Sequence, residues 1–165
     1  MRIAVITDIH GNWDALVNVL EDIEHSGVDK IFCLGDNIGY GPEPNRVIQT
    51  LRDCEIPSIL GNHELAVLKR EYLAWFNPTA RRSLEKTIEL LSDNALKYLS
   101  SLERVLVHGE YRFVHGFPPE SLSTYRYGVP VYKKRRIFET MEERICFIGH
   151  THDLNLIAYL SLIHI

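Results

Sequence analysis

Short apolar stretches recur along this chain, and five of them run into a motif rich in Asp, His and Asn. The motifs are Asp8-Ile9-His10, Gly35-Asp36-Asn37, Gly61-Asn62-His63-Glu64, Val114-His115-Gly116 and Gly149-His150-Thr151-His152. Side chains at i and i+2 of a strand share one face. Asp8 with His10, and His150 with His152, are therefore expected to aim at one place just past a strand end. Gly35, Gly61 and Gly149 stand directly before candidate ligands, where glycine permits a tight turn and close approach. Sites in open α/β sheets gather at the carboxyl ends of the strands. Five strand ends on one edge would bring together Asp8, His10, Asp36, Asn62, His115, His150 and His152. That set is enough for two metal ions, and it leaves His63 over as a candidate acid.

The remaining pattern alternates between strand and helix. A strand over 2–7 leads to a helix near 12–25, where Trp13, Leu16, Val17, Leu20 and Ile23 fall at helical spacing. A strand over 30–34, a helix near 44–53 and a strand over 57–60 follow, and helical pattern fills 62–75. Asn77-Pro78 reads as the cap and first-turn proline of another helix, and Ser92 opens one more. Strands near 104–107 and 110–115 are expected to form a hairpin around His108-Gly109. A helix near 130–143 then precedes a strand over 145–148. The early alternation predicts parallel strands, and the hairpin predicts a mixed sheet later. At 165 residues the chain is expected to form a single domain over 1–165, without repeats or linkers.

Composition narrows the classes. Apolar residues make up 45% and charged residues 24%, the balance of a soluble chain with a real core. The net charge of −4 gives no strong nucleic-acid signal. Cys33, Cys54 and Cys146 form no C-x-x-C pair and read as reduced thiols. Met1-Arg2-Ile3 runs straight into a strand, and no apolar run reaches membrane-spanning length. A cytoplasmic protein without a membrane partner is expected.

Single features carry less than the conjunction. Asp36-Asn37 alone would be a turn, and Asn62 alone a helix cap. His25, His108 and His164 match no motif and read as surface or core residues. Lys133-Lys134-Arg135-Arg136 reads as a solvated helix face, with a phosphate-attracting rim as the alternative; Arg81-Arg82 reads the same way. Tyr40, Asn45, Tyr125 and Tyr127 fall in loops and are candidates for substrate contact.

Taken in order, the five motifs resemble the calcineurin-like metallophosphoesterase superfamily. Asp8-Ile9-His10-Gly11-Asn12, with Gly35-Asp36-Asn37-Ile38-Gly39-Tyr40-Gly41-Pro42, is similar to its small bacterial and archaeal phosphodiesterase branch. The resemblance runs from Met1 to His152 and implies an α/β/β/α sandwich with mixed sheets. It implies that Asp8, His10, Asp36 and His152 hold one metal ion. Asp36, Asn62, His115 and His150 would hold the other, with Asp36 bridging. His63 would touch no metal, and would protonate the leaving oxygen or steady the phosphate. The implied activity is metal-dependent hydrolysis of phosphate esters, phosphodiesters first. Two cations about 3.5–4 Å apart can activate a bridging hydroxide and clamp the phosphoryl oxygens. Mixed imidazole, amide and carboxylate ligands favour Mn, Fe or Zn over Ca, with Mn first and Ni or Co as further options. The expected partner is a small-molecule or nucleotide phosphoester; the oligomeric state is not legible. Alternatives are a dinucleoside-polyphosphate hydrolase or a protein phosphatase on the same site, or a non-catalytic metal-binding scaffold. The family's protein phosphatases carry Asp-Arg-Gly where this chain has Ile38-Gly39-Tyr40-Gly41, which lowers that option. Retention of every ligand and of His63 counts against the scaffold.

The C-terminus departs from the family. Asp153 stands where relatives have proline, and the chain ends in an apolar run over 154–165. A truncated chain or a non-native tail, with an incomplete second sheet, is the expectation.

Overall fold

Four-residue strands set the frame of the computed structural model, which describes residues 1–158. Strand β1 (Ile3–Ile6) pairs in parallel with β2 (Lys30–Cys33), Ile3 opposite Lys30 and Ile6 opposite Cys33. The connection between them is α1 (Trp13–His25), which starts at Asn12, whose side chain accepts the Ala15 N–H. Helix α2 (Pro44–Asp53) has proline in its first turn and buries Val47, Ile48 and Leu51. Then come α3 (Asn62–Leu68) and a 3-10 segment over Arg70–Trp75. Helix α4 (Pro78–Leu90) is capped by Asn77 and α5 (Asp93–Ser101) by Ser92, both through side-chain oxygens. The second sheet has the order β3-β4-β5. In it β3 (Val105–His108) and β4 (Tyr111–Val114) form the expected hairpin. Strand β5 (Ile145–Ile148) lies parallel to β4 after α6 (Val131–Thr140), so this sheet is mixed.

Two expectations change. The stretch 57–60 is not a full strand: it makes single parallel bridges, Ser58 to Cys33 and Ile59 to Glu103. Cys33 N–H donates to Pro57 O and Ile59 N–H to Cys33 O, but Leu60 N–H donates to Glu103 O. The segment thus leaves the first sheet and joins the edge of the second. The helical pattern over 62–75 breaks at Lys69, which is extended at φ −133° and ψ 97°. The end of the apolar tail, including His164, lies outside the described residues; before it, Leu154 and Leu156 are exposed.

Strand alternation sorts the core. Ile31 and Cys33 point to the helices, against Leu16, Val47 and Leu51. Phe32 and Leu34 point the other way, into a cluster with Ile59, Phe113 and Phe147 between the two sheets. A helical cluster around Ile48, Val67, Leu84 and Leu99 closes the side over α2–α5. Helices, first sheet and second sheet therefore stack in layers, a mixed α/β fold. Among the described residues the three cysteines are free, and no helix is long and apolar enough to cross a membrane.

Phe113 is fully buried and stacked between Phe32, at 4.3 Å between ring centroids, and Phe147, at 5.3 Å. Phe113→Ala should lower unfolding stability by roughly 3–5 kcal/mol, the usual cost of a large-to-small change in a core. Urea denaturation of the variant and the parent checks this. A loss below about 1 kcal/mol would mean that the sheets do not meet through these rings.

Candidate metal centre

The pleat does not aim the ligand pairs, contrary to the sequence expectation. Strands β1 and β5 end at Ile6 and Ile148, short of the motifs. Asp8, His10, His150 and His152 instead all have left-handed backbone, at φ 55°, 52°, 66° and 53°. Asp36 and Tyr40 do too, at 51° and 55°. Such conformations are uncommon outside glycine, cost about 1–3 kcal/mol each, and cluster at functional sites. The parallel ladder runs on through these turns: Asp8 N–H donates to Gly35 O (3.0 Å), His10 N–H to Asp36 O (2.9 Å) and Gly11 N–H to Asn37 O (2.8 Å). Two glycines are sterically required. A Cβ on Gly35, itself at φ 87°, would lie 2.6 Å from the Gly61 nitrogen. A Cβ on Gly61 would overlap the Asp36 carboxylate.

These turns assemble three overlapping groups of candidate ligand atoms. They are Asp8, His10 and His152; His10, Asp36 and His63; and Asp36, His115 and His150, each group with its ligand atoms within 4.8 Å of one another. Asp36 and His10 each belong to two groups. Asn62 joins the last through its Oδ1, which lies 3.0 Å from His115 Nε2. All seven candidate ligands thus meet in one place, with His63 among them and its ring 4.5 Å from that of His10. His25 lies outside, bonded to Glu21 O, and His108 sits beside Lys30.

The donor set fits cations. His10 Nδ1–H donates to Ile38 O at 3.1 Å, and His115 Nδ1–H to Leu34 O at 2.8 Å. Carbonyl partners of this kind fix the tautomer and leave Nε2 as the ligand atom. His10 Nε2 then faces His152 Nε2 at 3.3 Å, with Asp8 Oδ1 3.1 Å from the latter. His150 Nε2 is buried without a hydrogen-bond partner. Facing imidazole nitrogens and an orphaned one, gathered around carboxylates, are what a bound cation satisfies.

The electrostatics follow from burial. Burial alone would raise the Asp36 carboxyl, but His115 at 3.1 Å, with His63 and His10, holds it well below the usual carboxylate range. Burial pulls His115 down, yet the Asp36 charge overrides it and lifts the ring to about 9. Burial dominates at His63, pulling it down to about 4, and also lowers His10 and His150. Glu64, which the sequence reading left without a role, is fully buried. Its carboxylate accepts the backbone N–H groups of Asp36 (2.9 Å), Asn37 (2.6 Å), Ile38 (3.3 Å) and Gly61 (2.9 Å). Burial and the Asp36 charge push its pKa up to about 7, against the pull of His115 and those N–H groups. Its signal was its place at the third position of α3, the capping-box site.

A cleft of about 720 Å³ opens over the ligands. Tyr40, Tyr125 and Tyr127 line it as expected, together with Trp75 and Phe76, which no motif marked. Asn45 is a correction. Its amide donates to Leu90 O at 2.6 Å and accepts the Ser92 N–H at 3.0 Å, so it ties α2 to the start of α5. The basic run on α6 and Arg81-Arg82 do not line the cleft, so the solvated-face reading holds for them.

Comparison with known proteins adds an independent finding. The profile of the calcineurin-like phosphoesterase family matches residues 1–154. An uncharacterised protein from Methanocaldococcus jannaschii is 36% identical over 91% of this chain and 62% of its own length. A symmetrical bis(5'-nucleosyl)-tetraphosphatase from Citrobacter koseri is 36% identical over 41% of this chain and 25% of its own length. The crystal structure of a metallophosphoesterase from Sphaerobacter thermophilus superposes with a TM-score of 0.75 at 36% identity, covering 92% of this chain and 61% of the other. This chain therefore spans about three fifths, or less, of these proteins.

The Asp36–His115 pair gives the metal-free protein a pH signature. The folded pKa of His115, about 9, lies above its ordinary 6.5. Its contribution to stability is complete below 6.5 and is lost as pH rises through 9. In chelator-treated protein the urea midpoint should fall between pH 7 and 9, and His115→Gln should flatten that limb. A limb that persists unchanged in the variant assigns it to another group.

Proposed function

The chain belongs to the calcineurin-like phosphoesterase family, and we propose that its centre hydrolyses phosphate esters, phosphodiesters first, with two divalent metal ions. The observation that carries this is the position of Asp36 beneath one cleft: it groups with His115 and His150 on one side and with His10 on the other, and His10 in turn groups with Asp8 and His152. Asp8, His10, Asp36 and His152 would hold one ion, and Asp36, Asn62, His115 and His150 the other. Nitrogen and oxygen donors without thiolate favour Mn, with Fe, Zn, Ni and Co as further options. When bound, such ions supply Lewis-acid charge for the phosphoryl oxygens and make water more acidic. The three cysteines are free among the described residues, which accords with a cytoplasmic location.

The chain's own groups do the rest. Ile38 O and Leu34 O hold His10 and His115 with Nε2 turned inward. Asp36 stays ionised at neutral pH and accepts the His63 backbone N–H through Oδ1 at 2.9 Å, so its orientation is fixed. A water adds to phosphorus in line with the departing oxygen, the P–O ester bond breaks, and the alcohol leaves with a proton. With its pKa near 4, His63 is neutral at pH 7. Its Nδ1 is buried without a partner, so the proton resides on Nε2, 3.8 Å from Asp36 Oδ2. His63 is then an N–H donor to a phosphoryl oxygen; of the two expected roles, steadying the phosphate is favoured over protonating the leaving group. The Citrobacter relative favours a second reading, in which the bond cleaved is the anhydride of a dinucleoside polyphosphate.

Metal content tests the centre. Mn-loaded protein should carry two ions per chain by elemental analysis and cleave bis-p-nitrophenyl phosphate. Asp36→Asn should lose metal at both positions and nearly all turnover. One ion per chain in fully active protein would end the two-metal reading.

His63 is tested separately. His63→Ala should keep its metal while kcat falls about 10²–10³-fold, the usual cost of one lost donor to a developing oxyanion. The loss should be similar for nitrophenyl and alkyl leaving groups. A defect confined to alkyl esters would restore the role of proton donor.

A further inference from the structure

The walls of the cleft hold more than hydrolysis of a phosphate requires. Tyr125 lies tilted by 32° against the candidate ligand His150 at 4.2 Å between centroids, and Tyr127 stacks on Tyr125 at 5.1 Å with its planes 20° apart. On the His63 side Phe76 stands edge-on to that ring at 4.9 Å, and Trp75 immediately precedes it in the chain. Tyr127 is 64% exposed and Trp75 52%. Large exposed aromatics grouped around one cleft mark a binding site rather than a core. The floor of the cleft thus has an aromatic station on each side, one beside the candidate ligand His150 and one beside His63. The charge pattern is equally specific. Among the described residues no Lys or Arg lines the cleft. The adjoining cavity, which shares His10, Tyr40 and His152, adds Asp8, Asp14 and Glu43. Arg126, between the two tyrosines in sequence, lies 3.9 Å from Asp153 instead.

Resting on the phosphoesterase reading above, we propose that the substrate is a diester of a single phosphate bearing a flat ring on each side, as in a dinucleoside monophosphate. One base stacks on Tyr127 and the other on Trp75, with the phosphate on the ligand floor between them. Stacking of a base on an aromatic side chain is sequence-tolerant and worth about 1–3 kcal/mol. A polyphosphate chain carries several further charges, and among the described residues these walls offer no Lys or Arg to meet them.

The experiment uses the Mn-loaded protein with adenylyl-3',5'-adenosine, 3',5'-cyclic AMP, diadenosine tetraphosphate and bis-p-nitrophenyl phosphate. The first should give the highest kcat/KM of the three nucleotides. Trp75→Ala and Tyr127→Ala should each raise its KM roughly 5–150-fold, the factor that 1–3 kcal/mol represents, with unchanged metal content. In a Trp13→Phe background, where Trp75 is the sole tryptophan, adenosine monophosphate should quench fluorescence and inorganic phosphate should not. Preference for the tetraphosphate overturns the single-phosphate assignment. A KM unmoved in either variant, or a cyclic nucleotide preferred, overturns the two-sided stacking. Quenching without hydrolysis of any ester leaves the stacking site standing and overturns the phosphoesterase reading.

Discussion

A single buried carboxylate holds the centre together. Glu64 reaches from the first turn of α3 and takes the backbone N–H groups of Asp36, Asn37, Ile38 and Gly61. Unpaired buried N–H groups each cost about 1–3 kcal/mol, so this one side chain offsets what would otherwise unfold the turn after β2. It also sets the distance between two ligand-bearing segments: Asp36 lies on one and Asn62 on the other. The bond from His63 N–H to Asp36 Oδ1 closes the same joint from the other side. The glycines at 35 and 61 are consequences, since any Cβ there would push the two segments apart.

The second constraint is backbone conformation. Six of the site residues, Asp8, His10, Asp36, Tyr40, His150 and His152, have positive φ. That arrangement is unfavourable for isolated residues and persists only where neighbours over-determine it. Here they do. The turn after β1 is hydrogen-bonded along its length to the turn after β2. The turn after β5 is tied back to β1 by His150 N–H donating to Asp8 Oδ2 at 3.1 Å and by the close approach of Gly149 to Thr7. The stacked rings of Phe32, Phe113 and Phe147 hold the two sheets in the relation that makes those ties reachable.

The charges would conflict without a cation. Four imidazoles and two carboxylates share a desolvated floor, where burial penalises every charged form. The protein alone resolves this by keeping His63, His10 and His150 neutral and pairing His115 with Asp36. A metal ion bound there would replace the shared proton of that pair and so link affinity to pH.

Local chemistry along the chain sets which elements form and which residues could chelate. The helix near 12–25, the helix starts at Asn77 and Ser92, the hairpin at Gly109 and the strand over 30–34 are local physics, and each was legible. So was the gathering of Asp8, His10, Asp36, Asn62, His115, His150 and His152 past the strand ends. What was not legible needed distant partners. The 57–60 segment has strand-like composition, but its hydrogen bonds divide between Cys33 and Glu103, a choice set by where the second sheet lies. Strand period was the wrong reason for the convergence of ligand pairs, because the turns are left-handed and only contacts across the sheet sustain that. Glu64 resembled any first-turn acid until the fold supplied the four N–H groups it binds. Asn45 went into the scaffold and Trp75, which no motif marked, into the cleft, because these placements are decided by packing between helices and not by the residues themselves.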